Sequence, residues 1–248
     1  MKFHSLMAAA LLCCAMDSHA GLIHQFHLDG SLEDAVGKGK LTAMGGGFVG
    51  NTYAFGANQG LKLDAQLGGV YTIDMVFHFD DLVRYGRIVD FKNLGVDEGF
   101  YSNDGVYKVF DVAATGSGGK LAKGVDSQLT LTRDAEKMFK VYQNGELVLS
   151  LNDQTGITDF GQNVAHFFRD NVRGGGTSGE GKPGAVDYIR IYDTALSVDE
   201  VRALTPPVAE VAEPASYGLV GVGLALLGFT RRRRKSYLWT PPDLQEED

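Results

Sequence analysis

The chain of 248 residues contains two cysteines, one tryptophan and six prolines. Cys13 and Cys14 both fall within the first twenty residues. Residues 21–205 therefore hold no thiol, and no disulfide framework can be built there. The tryptophan, Trp239, is near the C-terminus, beyond that stretch. Basic side chains are outnumbered: 23 Lys and Arg against 31 Asp and Glu leave a formal charge of −8. That balance argues against a nucleic-acid partner, since no basic surface is available to neutralise phosphates. There is no Gly-x-Ser-x-Gly nucleophile elbow, no His-Glu-x-x-His zinc motif and no phosphate loop ending in Gly-Lys-Ser/Thr. No helical periodicity is evident before Ser197, and there is no internal repeat.

What is abundant is glycine, 33 residues without a three-residue period, as a turn-rich chain requires. Short segments between the turns alternate as strands do. In residues 71–79, YTIDMVFHF, Tyr71, Ile73, Met75, Phe77 and Phe79 share one face, while Asp74 and His78 share the other. This predicts a half-buried antiparallel strand. Residues 137–151 predict a hairpin, MFKVYQ and ELVLSL joined by Asn144-Gly145, because both turn residues tolerate positive φ. Residues 185–204, AVDYIRIYDTALSVDEVRAL, predict a closing strand and then a helical turn. Ser197 and Glu200 stand at the two positions of a capping box there. About a dozen such strands predict an all-β, two-sheet antiparallel sandwich with a short helix after its closing strand.

The ends differ from the middle. Residues 1–20 pair Lys2 with an apolar run and a Ser18-His19-Ala20 cleavage site, as a secretory signal peptide does, so cleavage is expected after Ala20. Residues 206–215 form a Pro/Glu/Ala linker. Residues 217–229, YGLVGVGLALLGF, form a separate apolar helix, and Arg231, Arg232, Arg233, Arg234 and Lys235 follow. That run is short for a full membrane span, and the charge behind it should stay cytoplasmic. Glu213-Pro214, the apolar helix and the Arg cluster together resemble the PEP-CTERM sorting signal of Gram-negative bacteria, although Ala212 stands where the first proline usually stands. The resemblance implies recognition by an exosortase-type membrane protease near Glu213-Pro214. It also implies transient anchoring in the inner membrane through residues 217–230, then release to the outer surface or extracellular matrix. Residues 236–248 follow as a polar tail, where such proteins usually end.

Three further segments carry a second resemblance: FHLDGSLEDAVGKG at residues 26–39, FKVYQNGELV at 139–148 and AVDYIRIYDTALSVDEV at 185–201. In this order they resemble the start, middle and end of a laminin-G-like, concanavalin A-like jelly-roll domain spanning residues 21–205. The family implies two packed antiparallel sheets, frequent calcium sites, and carbohydrate or protein ligands. Residue by residue, Asp34 matches the acidic residue of the first loop and Asp187 the one opening the closing strand. With Asp29 as a neighbour, they are the candidate ligands of one structural Ca²⁺. The alternative is that Asp29 and Asp34 only cap turns.

In residues 167–182, FFRDNVRGGGTSGEGK, the sequence offers Arg169, Asp170, Asn171 and Arg173 for a sugar or glycan carboxylate. Arg169 and Asp170 alternatively pair at the loop base. Tyr101, Tyr107, Tyr142, Tyr188 and Tyr192 are candidates for sugar stacking or for packing. Glycoside hydrolysis needs two carboxylates flanking the scissile bond, and Asp74 with Asp90 is the one pair the pattern offers, with His78 nearby. No Glu-x-Asp-x-x-Glu signature accompanies them. The sequence therefore points to an exported, non-enzymatic adhesive, structural or glycan-binding protein, with an exopolysaccharide among its possible ligands. A glycoside hydrolase of the same fold is the alternative.

Overall fold

The computed structural model describes residues 21–110, 119–171 and 180–205. Ala20, Arg173, Glu213, Pro214 and Arg231–Arg234, named above for cleavage, binding and sorting, lie outside the described residues. No helix among the described residues is long and apolar enough to cross a membrane.

Two antiparallel sheets pack face to face. The larger has eight strands in the order β12-β11-β10-β6-β14-β4-β3, with β1 also paired to β14. Its members are β1 (Leu22–Phe26), β3 (Gly47–Val49), β4 (Thr52–Phe55), β6 (Tyr71–Phe79), β10 (Ser127–Arg133), β11 (Met138–Gln143), β12 (Glu146–Asn152) and β14 (Gly184–Tyr192). The smaller runs β2-β5-β13-β7-β8-β9. These are β2 (Leu41–Ala43), β5 (Leu61–Gln66), β13 (Val164–Phe167), β7 (Tyr85–Asp90), β8 (Gly99–Asn103) and β9 (Val106–Val109). The helix α1 (Val198–Leu204) follows the last strand. The expected two-sheet all-β sandwich is thus observed. The short strands β2 and β3 are additions; at three residues each they are too brief to show a period.

Period-two alternation builds the core. Ile73, Met75, Phe77 and Phe79 of β6 meet Leu129 and Leu131 of β10 and Ile189 and Ile191 of β14, all buried. From the smaller sheet come Leu61, Leu63, Val89, Phe100 and Phe167. Phe168 stacks on Phe55 at 4.4 Å between ring centroids and touches Phe77 and Phe79. Asn144 and Gly145 both have positive φ, as the hairpin turn demands. The capping box of α1 has both its hydrogen bonds.

One strand departs from expectation. The outer face of β6 is not solvated at its centre: Thr72 and Asp74 are fully buried. Asp74 Oδ1 accepts hydrogen bonds from Gln128 and Thr130, each 2.9 Å away. Arg190 lies 3.7 Å from Asp74 Oδ2 and stacks over the Tyr188 ring. Beside them Val201 of α1 and Leu196, just before the helix, pack against Tyr142 and Tyr192. A second, small apolar cluster therefore closes over the outside of the large sheet.

A buried arginine with a ring of carboxylates

The outer face of the smaller sheet is built differently. In β7 the ladder to β8 shifts register between Arg87 and Val89. This bulge sends Ile88 and Val89 both into the core and leaves Arg87 and Asp90 on the same outer face. In a regular strand, residues three apart point to opposite faces. The extra residue is what lets Arg87 Nη1 donate to Asp90 Oδ2 at 2.5 Å.

Arg87 is fully buried and reaches further partners. Its Nη2 donates to Asp97 Oδ1 at 2.6 Å, and Tyr101 donates its hydroxyl to the same oxygen at 2.9 Å. Nε stands 3.1 Å from Asp170 Oδ1, but out of line for a hydrogen bond. The guanidinium lies 4.8 Å over the Tyr101 ring. The Arg87 backbone N–H donates to the Glu180 carbonyl, which brings a fourth carboxylate-bearing residue alongside. Asp90 is fixed from behind, where its Oδ1 accepts the N–H groups of Lys92 and Leu94.

Asp97, Asp170 and Glu180 place one ligand atom each within 4.8 Å of one another, an arrangement that can hold a metal ion. Burial is the main cause pushing the Asp170 carboxyl above its usual range; the charge of Asp97 adds to it and Arg87 opposes it. Burial likewise raises Glu180, reinforced by Asp97 and Asp170. On the neighbouring strand β13, His166 is buried and held below its ordinary pKa by desolvation, despite Asp90 at 3.9 Å. Four buried polar atoms here lack a hydrogen-bond partner: Arg87 Nε, His166 Nδ1, Arg169 Nε and Asp170 Oδ1.

Of the residues singled out from sequence, Asp170 belongs to this site, though as a buried partner of Arg87 rather than an exposed loop side chain. Arg169 does not pair with Asp170; its Nη1 donates to the Met44 carbonyl at 3.1 Å. Asn171 is half-buried beside Asp170. Asp29 is exposed. Asp34 commits both oxygens locally: Oδ1 accepts from the N–H groups of Gln25, Val36 and Gly37, and Oδ2 from Gly39 N–H and His24 Nδ1. Burial opposes its charge, but those donors outweigh it and hold the carboxyl well below the usual range. Gly37 is needed for this wrap, since a Cβ there would lie 2.1 Å from the Ile23 carbonyl oxygen. Asp187 is the unpaired residue at the bulge in β14. Burial raises its pKa, the charge of Asp126 adds to that, and His78 opposes it.

The hydrolytic pair is a correction. Asp74 and Asp90 sit on the outer faces of different sheets, on opposite sides of the sandwich, and cannot flank one bond. His78 instead pairs with Asp126 at 2.6 Å. The tyrosines divide too. Tyr107 packs in the core, Tyr142 and Tyr192 under α1, and Tyr101 beneath Arg87. The exposed ring beside the site is Tyr85, edge-on to Tyr101. Sequence reading missed Arg87, Asp97, Glu180 and Tyr85. The one signal was the broken alternation in GRIVDF.

The family model described as "Concanavalin A-like lectin/glucanases superfamily" matches residues 50–202. Among curated proteins, none matches. Several solved structures share the fold. Domain 4 of the extracellular arabinanase AbnA from Geobacillus stearothermophilus, solved with arabinotriose, superposes with a TM-score of 0.56 at 16% identity over 75% of this chain and 99% of that one. A Trypanosoma rangeli sialidase, solved with 2,3-difluoro-KDN, gives 0.58 at 17% identity over 75% of this chain but 32% of its own. The binding domain of Paraclostridial Mosquitocidal Protein 1 gives 0.55 at 15% identity, with 75% and 52% covered.

Proposed function

The chain belongs to the concanavalin A-like lectin/glucanase superfamily, and from that premise we propose that it is a non-enzymatic glycan-binding module. The observation that carries this reading is a buried donor and a buried acceptor side by side on the outer face of the small sheet, Arg87 Nε and Asp170 Oδ1, 3.1 Å apart and neither of them in a hydrogen bond. A sugar hydroxyl both donates and accepts, so neighbouring groups of both kinds suit a polyol better than an ion of one sign. Tyr85 adds an exposed ring on which a pyranose or furanose face can stack. The arabinotriose in the structure of the arabinanase domain supports the same ligand class. The role is adhesive or structural, with the protein exported by its N-terminal signal and sorted to the cell surface or matrix by an exosortase-type protease.

Affinity electrophoresis of the full chain through arabinan and other polysaccharides, backed by a glycan array, tests the reading. Retardation by at least one glycan is expected, with about tenfold weaker binding in Tyr85→Ala. Tyr188→Ala, on the outside of the other sheet, should bind as the parent does. No retention on any glycan would sink it.

A second reading rests on one observation: Asp170 and Glu180 both have raised pKa values, as general acids do. Against it, ligand atoms of the three carboxylates approach within 4.8 Å. That is tighter than the roughly 5–9 Å that lets two carboxyl groups flank a scissile bond. Release of reducing sugar that Glu180→Gln abolishes would favour this reading over the first.

A further inference from the structure

We infer that removal of the export signal completes the fold: the new α-ammonium group of Gly21 forms an ion pair with the Asp193 carboxylate and fastens β1 to the turn that leads into α1. The inference rests on the export reading above, since it needs cleavage between Ala20 and Gly21. It is independent of any glycan.

Geometry is the first argument. β1 and β14 run antiparallel with Leu22 opposite Tyr192, and the Asp193 N–H donates to the Gly21 carbonyl at 3.0 Å. Gly21 and Asp193 are therefore neighbours across the ladder. The Asp193 side chain lies against the α-carbon of Gly21: a Cβ there would stand 2.7 Å from Oδ1 and 3.1 Å from Oδ2. The backbone nitrogen hangs on that same carbon, about 1.5 Å away. A charged group on it needs only a small rotation of the Asp193 side chain to reach ion-pair distance. A side chain at position 21 would occupy the space the carboxylate fills, so glycine is what allows the approach.

Charge is the second argument. Among the described residues no hydrogen bond or ion pair holds the Asp193 carboxylate. The arginines of β14 and α1 are turned elsewhere: Arg190 stacks over Tyr188 and faces Asp74, and Arg202 faces Glu146 and Asp199. In the unprocessed chain the Gly21 nitrogen belongs to an uncharged peptide group. Hydrolysis of the Ala20–Gly21 bond consumes one water. The hydroxyl of that water joins the Ala20 carbonyl, its hydrogen goes to the Gly21 nitrogen, and the acid so formed passes its proton to the same nitrogen. The products are a carboxylate on the removed segment and an ammonium on Gly21, which is charged at neutral pH. The cut thus delivers a cation beside an aspartate that has no other.

Position is the third argument. Leu22, the next residue of β1, packs against the cluster of Tyr142, Tyr192, Leu196 and Val201. Thr72 Oγ1 donates to the Thr194 carbonyl and accepts from the Leu196 N–H, so the turn after Asp193 is already tied to β6. The ion pair stands where the first strand, the closing strand and the turn into α1 meet. A chain still carrying its signal lacks this fastening.

The test is a cycle of melting temperatures at about pH 6.5, where an α-amino group is charged. Its four members are the chain of residues 21–248 released with Gly21 as a free N-terminus, the same chain acetylated enzymatically at that amine, and both forms of Asp193→Asn. Asp193 is exposed, and asparagine keeps its backbone hydrogen bond, so the variant should fold. Acetylation and Asp193→Asn should each lower the melting temperature by about 2 °C, as loss of one surface ion pair does in a domain of this size. Acetylation of Asp193→Asn should lower it no further. An equal loss on acetylation with and without the Asp193 carboxylate would overturn the inference, as would no loss in the parent. Intact mass of the protein recovered from the native host separates this failure from that of the export reading. A first residue other than Gly21 overturns both. Gly21 as first residue, with no coupling to Asp193, leaves export standing and overturns the ion pair alone.

Discussion

Each sheet buries an aspartate on its outer face, and the two are handled in opposite ways. Asp74, on the large sheet, is surrounded by neutral donors, Gln128 and Thr130, with one guanidinium 3.7 Å away. The stacked pair Tyr188–Arg190 and the small cluster under α1 lie beside it. Asp90, on the small sheet, belongs to a group of four acidic residues around one arginine, open to solvent at Asp97. The first arrangement matches one carboxylate with one guanidinium under cover, although Asp74 Oδ2 and Gln128 Oε1 receive no hydrogen bond. The second leaves negative charge over and is open to solvent at Asp97. A surplus of charge reachable from solvent is how a binding surface differs from a buried structural network.

The largest effect expected from breaking this contrast is at Arg87. Arg87→Leu removes the one cation that three carboxylates contact and leaves them partly buried without compensation. Loss of one member of such a network costs about 3–5 kcal/mol. Urea denaturation at neutral pH checks it. A change below about 1 kcal/mol would mean the carboxylates relax into solvent, and that the site is looser than its distances suggest.

Acid is the next probe, and it acts at two other carboxylates. Asp34 is held low by backbone N–H groups and His24, against the effect of burial. Asp153 is held low as well: burial opposes its charge, but Thr158, Ile157 N–H and Arg133 outweigh it. A folded pKa below the unfolded one stabilises the protein above the unfolded value of about 4, and that stability drains as pH falls through the folded value. A loss of about 2 kcal/mol or more between roughly pH 4.5 and pH 2.5 is therefore expected. Asp34→Asn should flatten part of that slope. An unchanged slope would show that the first loop is already open in the native state.

How far the sequence shows these features depends on how local their causes are. The Asn144-Gly145 turn and the Ser197/Glu200 box are decided by residues within three of each other, and both are as expected. The alternation of β6 correctly names its core side. It does not reveal the cover on its other side, because Tyr188, Arg190 and α1 come from more than a hundred residues away. The arginine site fails to show for a second reason. A one-residue bulge at Ile88–Val89 shows in sequence only as the broken alternation of GRIVDF, which does not say that Arg87 and Asp90 come to share a face, and the bulge alone aligns them. Asp97 and Asp170 then meet through pairing of β7 with both β8 and β13, and Glu180 joins them through its carbonyl on the Arg87 N–H. Asp170 stands out in sequence as part of a polar loop, which gives the right residue but not its burial.

Smaller effects sharpen the other half of the comparison. Ser197→Ala removes the side-chain half of the capping box, worth about 1 kcal/mol. It should loosen α1 over Tyr142 and Tyr192 without touching the small sheet. Glycan retardation of this variant should match the parent; a weakened response would show that the two faces are coupled.

The smallest effect is expected at Asp74. Burial is the main cause raising its carboxyl above the usual range, against the donors Thr130 and Gln128 and the charge of Arg190. A group whose folded pKa is raised destabilises the fold at neutral pH, and that penalty is relieved as pH falls through the folded value toward the unfolded one of about 4. An amide at this position keeps an oxygen for Gln128 and Thr130 and carries no charge to desolvate. Asp74→Asn should therefore change stability at pH 7 by less than about 1 kcal/mol, and toward greater stability if at all. The stronger signature is in the pH dependence. Relative to Asp74→Asn, the parent should gain stability between neutral pH and about pH 4, near the unfolded value. Chemical denaturation at both pH values measures it. A destabilisation of several kcal/mol at pH 7 would mean that the Asp74–Arg190 pair is a true buried ion pair. The large sheet's outer face would then depend on charge as the small one does, and the contrast between the two faces would fall.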